Sequence, residues 1–394
     1  MYRISLVDDI ATEQMKQLEE PFFERTDKKD AHGLLVRSSI VEEDWIGSEL
    51  LAISRAGVGV NTIQVQKATE NGTIVMNTPG VNANAVKELV LSCLFLSVRP
   101  VIKASEMVQA LEGADLLEQA EANRKPFVGK ELQGKVIGLL GLGSIGREVA
   151  RICYELGMEV LGYARRNHEL DYVEQLPLPD ILRLSDFVVI MLPSTPETNG
   201  LLGKEELSLM KEEAILINVG RSGIVDNAAL LQVIEDGKLA KYITDFPAQE
   251  FLGNEKIMML PHIGGSTKEA LADSSREAVR ALRNYLLFGT VRSSVNFPAV
   301  RMVFRAPYRF TIFYQKRQGI LSEVFKILEE NDLPIGNMTR NQKEDYVYTL
   351  IDIESTDVKN LLEANRQLET IADVKRVRLL VRPQVQSSYF YFFN

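Results

Sequence analysis

The sequence predicts an α/β protein with a parallel sheet in its middle and a small α+β domain at its end. Over roughly the first 100 residues, short β-rich runs alternate with helical segments. In the middle, a glycine-rich turn joins an apolar strand to a helix, and further apolar runs follow without polar alternation. The last region has the order strand, helix, strand, strand, helix, strand, which is typical of a ferredoxin-like domain.

The composition indicates a multidomain globular protein. At 394 residues the chain is longer than one ordinary core, with 45% hydrophobic and 25% charged residues. Its formal net charge of −9 argues against nucleic acid or an anionic membrane surface as a partner, because both need a basic face. The N-terminus lacks the basic lead of a signal peptide, and the longest apolar segment, 89–98, is about half the ~20 residues that span a bilayer.

The two cysteines carry no metal-binding pattern. Cys93 and Cys153 each lie inside an apolar helical pattern, without metal-ligand spacing. We therefore expect buried, reduced thiols, no metal site and a cytoplasmic protein.

The first region supplies four predicted strands. They are the runs RISLVDD, GLLVRSS, LLAISRAGVG and GTIVMNTPG. A stretch from 86 to about 118 then shows a helical period with few breakers. This order predicts a first α/β layer that ends in a long helical segment.

A predicted phosphate-binding turn opens the middle region. Gly141, Gly143 and Gly146 follow an apolar strand at 136–140 and open a helix at 144–156. Glycines at this spacing let the chain turn tightly, bring backbone N–H groups to a pyrophosphate and pack helix on strand. The helix N-terminus adds positive partial charge. This context predicts a Rossmann-type, doubly wound sheet that binds a dinucleotide, and a glycine-rich turn without a ligand is the alternative.

The next predicted strand, 159–163, ends without the acidic residue that usually holds the ribose of NAD. Ala164 stands at that place, and Arg165 and Arg166 follow. Without a carboxylate nothing repels a 2′-phosphate, and an arginine could pair with it through forked hydrogen bonds. The predicted cofactor is therefore NAD or NADP, with the arginines favouring NADP. Solvated arginines beside a bound NAD are the alternative.

Three further strand ends are predicted to meet at the sheet edge beside the glycine turn. The runs AILINVGR, YITDF and IMMLPH deliver Arg221, Asp245 and His262 there, and Glu250 follows in a loop, with Glu255 close by. His262 suits a base that takes a hydroxyl proton, and a nearby Glu250 would favour its protonated form. Arg221 could fork onto a substrate carboxylate. A capping histidine, a loop glutamate and a surface arginine are the ordinary alternatives.

The remaining segments complete the predicted organisation. A polar-rich amphipathic helix is expected at 266–287, and a linker ends near residue 307. The ferredoxin-like domain follows at 306–384. The aromatic tail YFYFFN follows, and its sequence predicts neither docking on a neighbouring surface nor disorder.

From about residue 33 to 298 the chain resembles the D-isomer-specific 2-hydroxyacid dehydrogenases. The resemblance is carried by RAGVGVN, NTPG, LQGKVIGLLGLGSIGREVA, INVGRSGIVDNAAL and PHIGGSTKEA. It implies a flavodoxin-like substrate domain at 1–98 and 266–300, with the Rossmann domain inserted at 99–265. The C-terminal domain resembles an ACT domain through QKRQGILSEVFKILEENDLPIGNM. These resemblances imply an amino-acid effector at that domain and a homodimer or homotetramer.

The resemblance also assigns roles to residues. It implies that Arg221, Glu250 and His262 form the catalytic set and that Asp245 holds the nicotinamide amide. The resemblance implies that the substrate is bound by a backbone cradle for its carboxylate and by basic groups for its phosphorylated end. The cradle is formed by Ala56, Gly57, Val58 and Gly59, and the basic groups are Arg37, Arg124 and Lys125. The implied cofactor set is Gly141, Gly143, Ser144, Ile145, Gly146, Ala164, Arg165, Arg166, Pro193, Thr198, Val219, Arg221, Asp245, His262 and Gly264.

The activity implied by the resemblance is hydride transfer between NAD(P) and a small phosphorylated 2-hydroxy acid, with 3-phospho-D-glycerate oxidised to 3-phosphooxypyruvate. A reductase of hydroxypyruvate or glyoxylate and a non-enzymatic cofactor sensor are the alternatives. Some positions depart from the family pattern. In the dehydrogenase region they are Asn61, Ala164 and Phe251. In the C-terminal domain, Tyr314, Lys316 and Pro334 stand at positions where serine-binding ACT domains have other residues. Serine feedback by that mode is therefore not expected.

Overall fold

The computed structural model describes residues 1–8, 10, 16, 18 and 21–384. The chain divides into two compact units, a split unit of Met1–Val81 with Leu271–Asn394 and a central unit of Asn82–Ala270. One unit is thus formed by chain segments on both sides of the other. The aromatic tail YFYFFN lies outside the described residues.

The split unit begins with a five-stranded parallel sheet. Its elements are β1 (Tyr2–Leu6), β2 (Phe23–Arg25), β3 (Gly33–Val36), β4 (Ala52–Arg55), α1 (Val65–Glu70) and β5 (Ile74–Met76). The strand order β2-β1-β3-β4-β5 is that of flavodoxin-like sheets. Leu34 and Ile53 on the central strands are fully buried, as expected for strands covered on both faces. The sequence did not predict β2, because three residues are too few to show a period.

Three separate helices follow, rather than a continuous helical stretch to residue 118. They are α2 (Ala83–Val98), α3 (Val101–Gln109) and α4 (Leu116–Ala122). The first break occurs at Arg99, whose backbone is extended because Pro100 disfavours a helical conformation in the residue before it. The predicted helical stretch is therefore helical over most of its length and is interrupted twice. In the described part of the chain, no helix is both long and apolar enough to cross a membrane.

The central unit contains a seven-stranded parallel sheet. Its elements are β6 (Val136–Leu140), α5 (Ser144–Glu155), β7 (Glu159–Tyr163), β8 (Glu174–Gln175), α6 (Leu178–Leu184), β9 (Phe187–Ile190), α7 (Lys204–Ser208), β10 (Ala214–Asn218), α8 (Asn227–Glu235), β11 (Leu239–Thr244) and β12 (Ile257–Met259). The order β12-β11-β10-β9-β6-β7-β8 reverses between β6 and β9, as in a doubly wound nucleotide-binding sheet. The predicted strand before the glycine turn and the predicted strand after α5 are confirmed residue for residue. The two-residue β8 was not predicted.

The C-terminal module, residues 308–381, has the predicted ferredoxin-like order. Helix α9 (Lys268–Phe288) and a linker lead to β13 (Tyr308–Gln315), α10 (Ile320–Glu330), β14 (Ile335–Lys343), β15 (Tyr346–Ile353), α11 (Val358–Glu369) and β16 (Val374–Val381). The antiparallel sheet has the order β14-β15-β13-β16. Alternate residues of β13, such as Phe310 and Ile312, share a core with α10 and α11. The helices therefore cover one face of the sheet.

The other face of this sheet belongs to the core of the split unit. Phe313 and Tyr348 pack there with Phe297 of the linker and Tyr285 of α9. The rings of Phe297 and Phe313 stack with centroids 3.6 Å apart. Arg378 of β16 donates to two backbone carbonyls at the end of α9, at 2.6 and 3.1 Å. The C-terminal module is thus built into the split unit.

Both cysteines are buried and unpaired, as predicted. Cys93 lies in α2 and Cys153 in α5. Burial is the main cause that raises the pKa of each thiol to about 12. Both therefore stay protonated near neutral pH, which makes them poor nucleophiles.

Candidate active site

The glycine turn between β6 and α5 has the geometry of a phosphate cradle. Gly141 has a φ of +112°, which residues with a side chain rarely adopt. A Cβ at Gly146 would lie 1.9 Å from the carbonyl oxygen of Gly141, so glycine is needed where α5 passes the turn. A Cβ at Gly143 would meet no described atom within 4 Å, so the tip of the turn is open. With Ser144 and Ile145 opening the 12-residue helix, the turn fits the pyrophosphate of a dinucleotide.

We expect Gly146→Ala to weaken dinucleotide binding about tenfold or more, because the new methyl group must push the turn away from α5. The free energy of unfolding should fall by about 1–3 kcal/mol. Gly47→Ala, outside the cradle, is the control, since its methyl group meets no described atom within 4 Å and should leave the cofactor affinity and the unfolding free energy unchanged. Fluorescence titration with reduced cofactor and urea unfolding measure the two effects. Unchanged cofactor affinity in Gly146→Ala would contradict the cradle.

The loop after β7 carries the residues at the ribose position. Ala164 is half-buried, whereas Arg165 and Arg166 are exposed. The backbone N–H of Gly141 donates to the carbonyl of Tyr163 at 3.0 Å, which ties the start of this loop to the glycine turn. The structure therefore brings the predicted arginines to the edge that carries the cradle.

The loop after β9 is held by its own threonines. The Thr198 hydroxyl donates to the carbonyl of Pro193 at 2.6 Å and accepts the N–H of Thr195 at 2.8 Å. A hydrogen bond from Thr195 and, less strongly, the charge of Arg165 lower the pKa of the Glu197 carboxyl. Glu197, which lies between the predicted cofactor residues Pro193 and Thr198 in sequence, is thus close enough to Arg165 to interact with its charge.

Neighbouring strands β10, β11 and β12 bring further predicted residues to the same edge. Asp245, directly after β11, is only 2% exposed. Its carboxylate accepts the backbone N–H groups of Ile263 and Gly264, both at 2.7 Å. These bonds hold the turn that carries His262, an exposed residue with a φ of +57° whose ring lies 5.1 Å from that of Phe246. The structure therefore joins Asp245, His262 and Gly264 in one constellation.

Arg221 follows β10 through a turn organised by Asn218. The buried Asn218 side chain donates to the carbonyl of Arg221 at 3.0 Å and accepts the N–H of Gly220 at 3.1 Å. The half-buried guanidinium donates from Nη1 to the Gly220 carbonyl at 2.7 Å, and its fork has further N–H groups that suit a carboxylate. Val219 lies inside this turn. Sequence reasoning missed Asn218, although a polar residue that closes the apolar run AILIN was a usable signal.

Glu250 has a hydrogen-bond partner other than the histidine beside which it was expected. Its carboxylate accepts a hydrogen bond of 2.7 Å from Asn227, the first residue of α8. This bond lowers the pKa of the exposed Glu250 carboxyl. Within residues 21–384, Glu250 and His262 form no hydrogen bond or ion pair with each other. Asn227 was not predicted, because it lies 23 residues from its partner along the chain.

In the split unit, Asp8 organises the turn that carries Arg37. Its carboxylate accepts the backbone N–H of Arg37 at 2.6 Å and the hydroxyl of Ser39 at 2.7 Å. Burial would raise the pKa of Asp8, but the hydrogen bonds from Ser39, Arg37 and Ser38 outweigh it and lower the pKa. The Arg55 side chain donates to the Arg37 carbonyl at 2.8 Å. Asp8 was not singled out from the sequence because its partners lie about 30 residues away.

The remaining predicted substrate residues lie in two places. In the split unit, the 56–59 loop follows β4, and its Val58 carbonyl accepts a hydrogen bond of 2.7 Å from Asn77. The buried Ala56 donates its N–H to Val36 at 2.8 Å, which fixes the start of the loop on the sheet. In the central unit, Arg124 and Lys125 are exposed beside a short 3-10 helix, Lys125–Phe127.

This geometry has a counterpart among known proteins. Residues 91–264 match the family model described as D-isomer specific 2-hydroxyacid dehydrogenase, NAD binding domain. Residues 91–264 therefore form a NAD-binding domain of the D-isomer-specific 2-hydroxyacid dehydrogenase type. The predicted fold class is thereby confirmed, with a Rossmann-type domain inserted in a flavodoxin-like domain and a C-terminal ferredoxin-like domain added to this dehydrogenase framework.

Proteins similar to this chain include D-3-phosphoglycerate dehydrogenases. That of Sus scrofa is 36% identical over 262 residues, which are 63% of this chain and 48% of the relative. A crystal structure of a Thermus thermophilus protein has 27% identity and a TM-score of 0.64, covering 74% of this chain and 99% of that one. NAD+-bound 3-phosphoglycerate dehydrogenase of Entamoeba histolytica has 25% identity and a TM-score of 0.61, covering 75% and 98%. The chain spans about half the length of the curated relatives it matches.

Proposed function

We propose that this protein oxidises 3-phospho-D-glycerate to 3-phosphooxypyruvate with NAD(P), as the entry step of L-serine synthesis. The observation that carries the proposal is the turn of His262, held by Asp245 at the sheet edge that also presents Arg221 and the glycine cradle. The 36% sequence identity with a D-3-phosphoglycerate dehydrogenase over 262 residues supports the choice of substrate. Oxidation of NADH or NADPH in the presence of phosphooxypyruvate tests it.

In the proposed reaction the chain's own residues move one proton and hold one carboxylate. A bound nicotinamide accepts or supplies the hydride. His262 takes the hydroxyl proton during oxidation and returns it during reduction. Arg221 pairs with the substrate carboxylate and stabilises charge on the reacting oxygen. We propose that Glu250 exchanges its bond to Asn227 for one to His262 and thereby favours the protonated ring.

The cofactor site that we propose combines the glycine cradle, the loops after β7 and β9, and the catalytic edge. Gly141, Gly143 and Gly146 hold the pyrophosphate, and Asp245 with Gly264 borders the nicotinamide. Ala164 leaves no carboxylate to repel a 2′-phosphate, and the exposed Arg165 and Arg166 can fork onto one. We therefore propose that NADP is accepted at least as well as NAD.

We propose a separate role for each predicted domain. Substrate binding belongs to 1–98 and 266–300, cofactor binding to 99–265, and a regulatory role to the ACT-like domain at 306–384. Arg37 and the 56–59 loop supply the substrate contacts of the split unit, and Arg124 and Lys125 those of the central unit. We propose a homodimer or homotetramer as the assembly and a small amino acid as the effector.

We expect Arg37→Ala to raise the KM for phosphooxypyruvate about 10- to 100-fold, because a charged hydrogen bond to the phosphate is lost. The KM for pyruvate, which has no phosphate, should change far less. The fold should be retained, since the contact with Asp8 uses the Arg37 backbone N–H. Arg25→Ala, which removes another exposed arginine of the split unit, is the control. Equal changes in KM for the two keto acids would refute the assignment of Arg37.

A second candidate function is cofactor sensing without turnover. It is favoured by the bond that holds Glu250 on Asn227 instead of on His262. A sensor needs the cradle but not the histidine. Cofactor binding without oxidation of NADH or NADPH by any keto acid would support this candidate against the dehydrogenase.

A further inference from the structure

The loop that carries Arg165 and Arg166 is closed by one side chain, that of Gln175. Its Oε1 accepts the backbone N–H of His168 at 2.6 Å, and its Nε2 donates to the carbonyl of Arg166 at 3.2 Å. Both ends of the amide therefore bind the same loop, at positions 7 and 9 residues upstream in the chain. The amide thereby fixes the backbone on both sides of Asn167.

Gln175 can act as an anchor because the sheet fixes its own backbone. It lies in β8, in register with Gly162 of β7, and the next residue, Leu176, donates its N–H to the Gly162 carbonyl at 3.1 Å. A Cβ at Gly162 would lie 2.7 Å from Leu142 and 2.8 Å from Val173, so the chain is closely packed at this point. The Gln175 side chain thus connects the loop that carries Arg165 and Arg166 to β8, a strand of the sheet, rather than to another loop.

The two arginines need such an anchor if they are to act together. Both are exposed, and within residues 21–384 neither guanidinium donates a hydrogen bond to another residue. The Glu197 carboxylate is close enough for the charge of Arg165 to lower its pKa, so it attracts the Arg165 side chain towards another loop. A fixed backbone limits the positions that both side chains can reach, which lowers the entropy cost of binding one phosphate with two arginines.

We propose that Gln175 is a positioning residue for cofactor choice, which pre-organises Arg165 and Arg166 for the 2′-phosphate of NADP. This inference rests on the proposed use of NADP by the same site. It assigns no catalytic step to Gln175. Its effect should therefore fall on the affinity for the phosphorylated cofactor and not on the hydride transfer itself.

The test compares dissociation constants of the full-length protein for NADPH and NADH by fluorescence titration. Gln175→Leu and Gln175→Met both remove the two hydrogen bonds at similar volume and add no charge near the proposed phosphate site. Gln232→Leu is the matched control, because Gln232 is an exposed glutamine of the same unit whose amide donates to its helix neighbour Asp236. Circular dichroism melting verifies the fold of each variant.

For Gln175→Leu we expect the Kd of NADPH to rise about 5- to 10-fold while that of NADH rises less than about twofold. Gln175→Met should change the two dissociation constants in the same direction, and Gln232→Leu should match the unmodified protein. Equal weakening for both cofactors, or no change in either variant, would overturn the inference. If Gln175→Leu melts at a lower temperature, the ratio of the two dissociation constants in Gln175→Met decides.

Titration of the unmodified protein with NADPH and NADH distinguishes a failure of the role of Gln175 from a failure of the proposed use of NADP. A protein that binds NADH far more tightly than NADPH would refute the use of NADP and the role of Gln175 together. The proposed oxidation of 3-phospho-D-glycerate would then still be tested by turnover with NADH. Tight NADPH binding that is insensitive to Gln175 would overturn only the positioning role.

Discussion

Replacement of His262 with alanine should lower kcat about 10²- to 10⁴-fold, which is the range that a positioned acid or base contributes. The cofactor affinity should change little, because the carboxylate of Asp245 binds backbone N–H groups of the same turn and these remain in the variant. The proposed proton transfer is the step that is lost. Steady-state turnover with phosphooxypyruvate and titration with reduced cofactor measure the two quantities separately.

Two further measurements make the His262 prediction specific. Added imidazole should restore part of the rate in His262→Ala, since a free base can enter the space of the missing ring. His32→Ala provides the control, because His32 lies in the split unit, where its Nδ1 accepts the N–H of Arg3 at 3.0 Å. Full turnover in His262→Ala would remove the histidine from the mechanism and favour another base.

Replacement of Asp352 with alanine should lower the free energy of unfolding by about 3–5 kcal/mol, because it leaves a buried guanidinium without its counter-ion. The side chains of Arg309 and Asp352 are 0% and 2% exposed and form two hydrogen bonds of 2.6 and 3.1 Å. Arg309 also donates to the carbonyls of Phe288 and Met302, outside the C-terminal module. Urea unfolding measures the loss.

The companion variants show whether the buried charge is the cause. Arg309→Met with Asp352→Leu should be less destabilised than Asp352→Ala, because no unpaired charge remains in the core. Arg366→Ala should cost no more than about 1 kcal/mol, since Arg366 pairs with Glu363 on the surface. A loss for Asp352→Ala as small as that for Arg366→Ala would contradict the structural role of the C-terminal module in the split unit.

Local patterns predicted the parts of the site that depend on neighbours in the chain. The strand, glycine turn and helix at 136–155 could be predicted because glycine spacing and apolar periodicity are properties of one short segment. The placement of Arg221, Asp245 and His262 after neighbouring strands of one sheet agrees with a general rule, namely that the carboxyl ends of parallel strands share one edge. The family resemblance added roles to these positions.

Contacts between distant segments could not be predicted from such patterns. Asp8 with Arg37 and Asn227 with Glu250 each join a polar side chain to a segment 29 or 23 residues away, and many surface residues have the same local sequence character. The packing of the C-terminal module did leave a signal. The run FTIFY in β13 is almost entirely apolar, which is typical of a strand covered on both faces.

The most direct test of the proposed function compares three keto acids with both cofactors. Initial rates of NADH and NADPH oxidation are measured with phosphooxypyruvate, hydroxypyruvate and glyoxylate. We predict that kcat/KM is highest for phosphooxypyruvate and that NADPH supports turnover at least as well as NADH. Equal or higher kcat/KM for hydroxypyruvate or glyoxylate would contradict the proposed substrate, and the absence of turnover with all three would contradict the proposed enzyme.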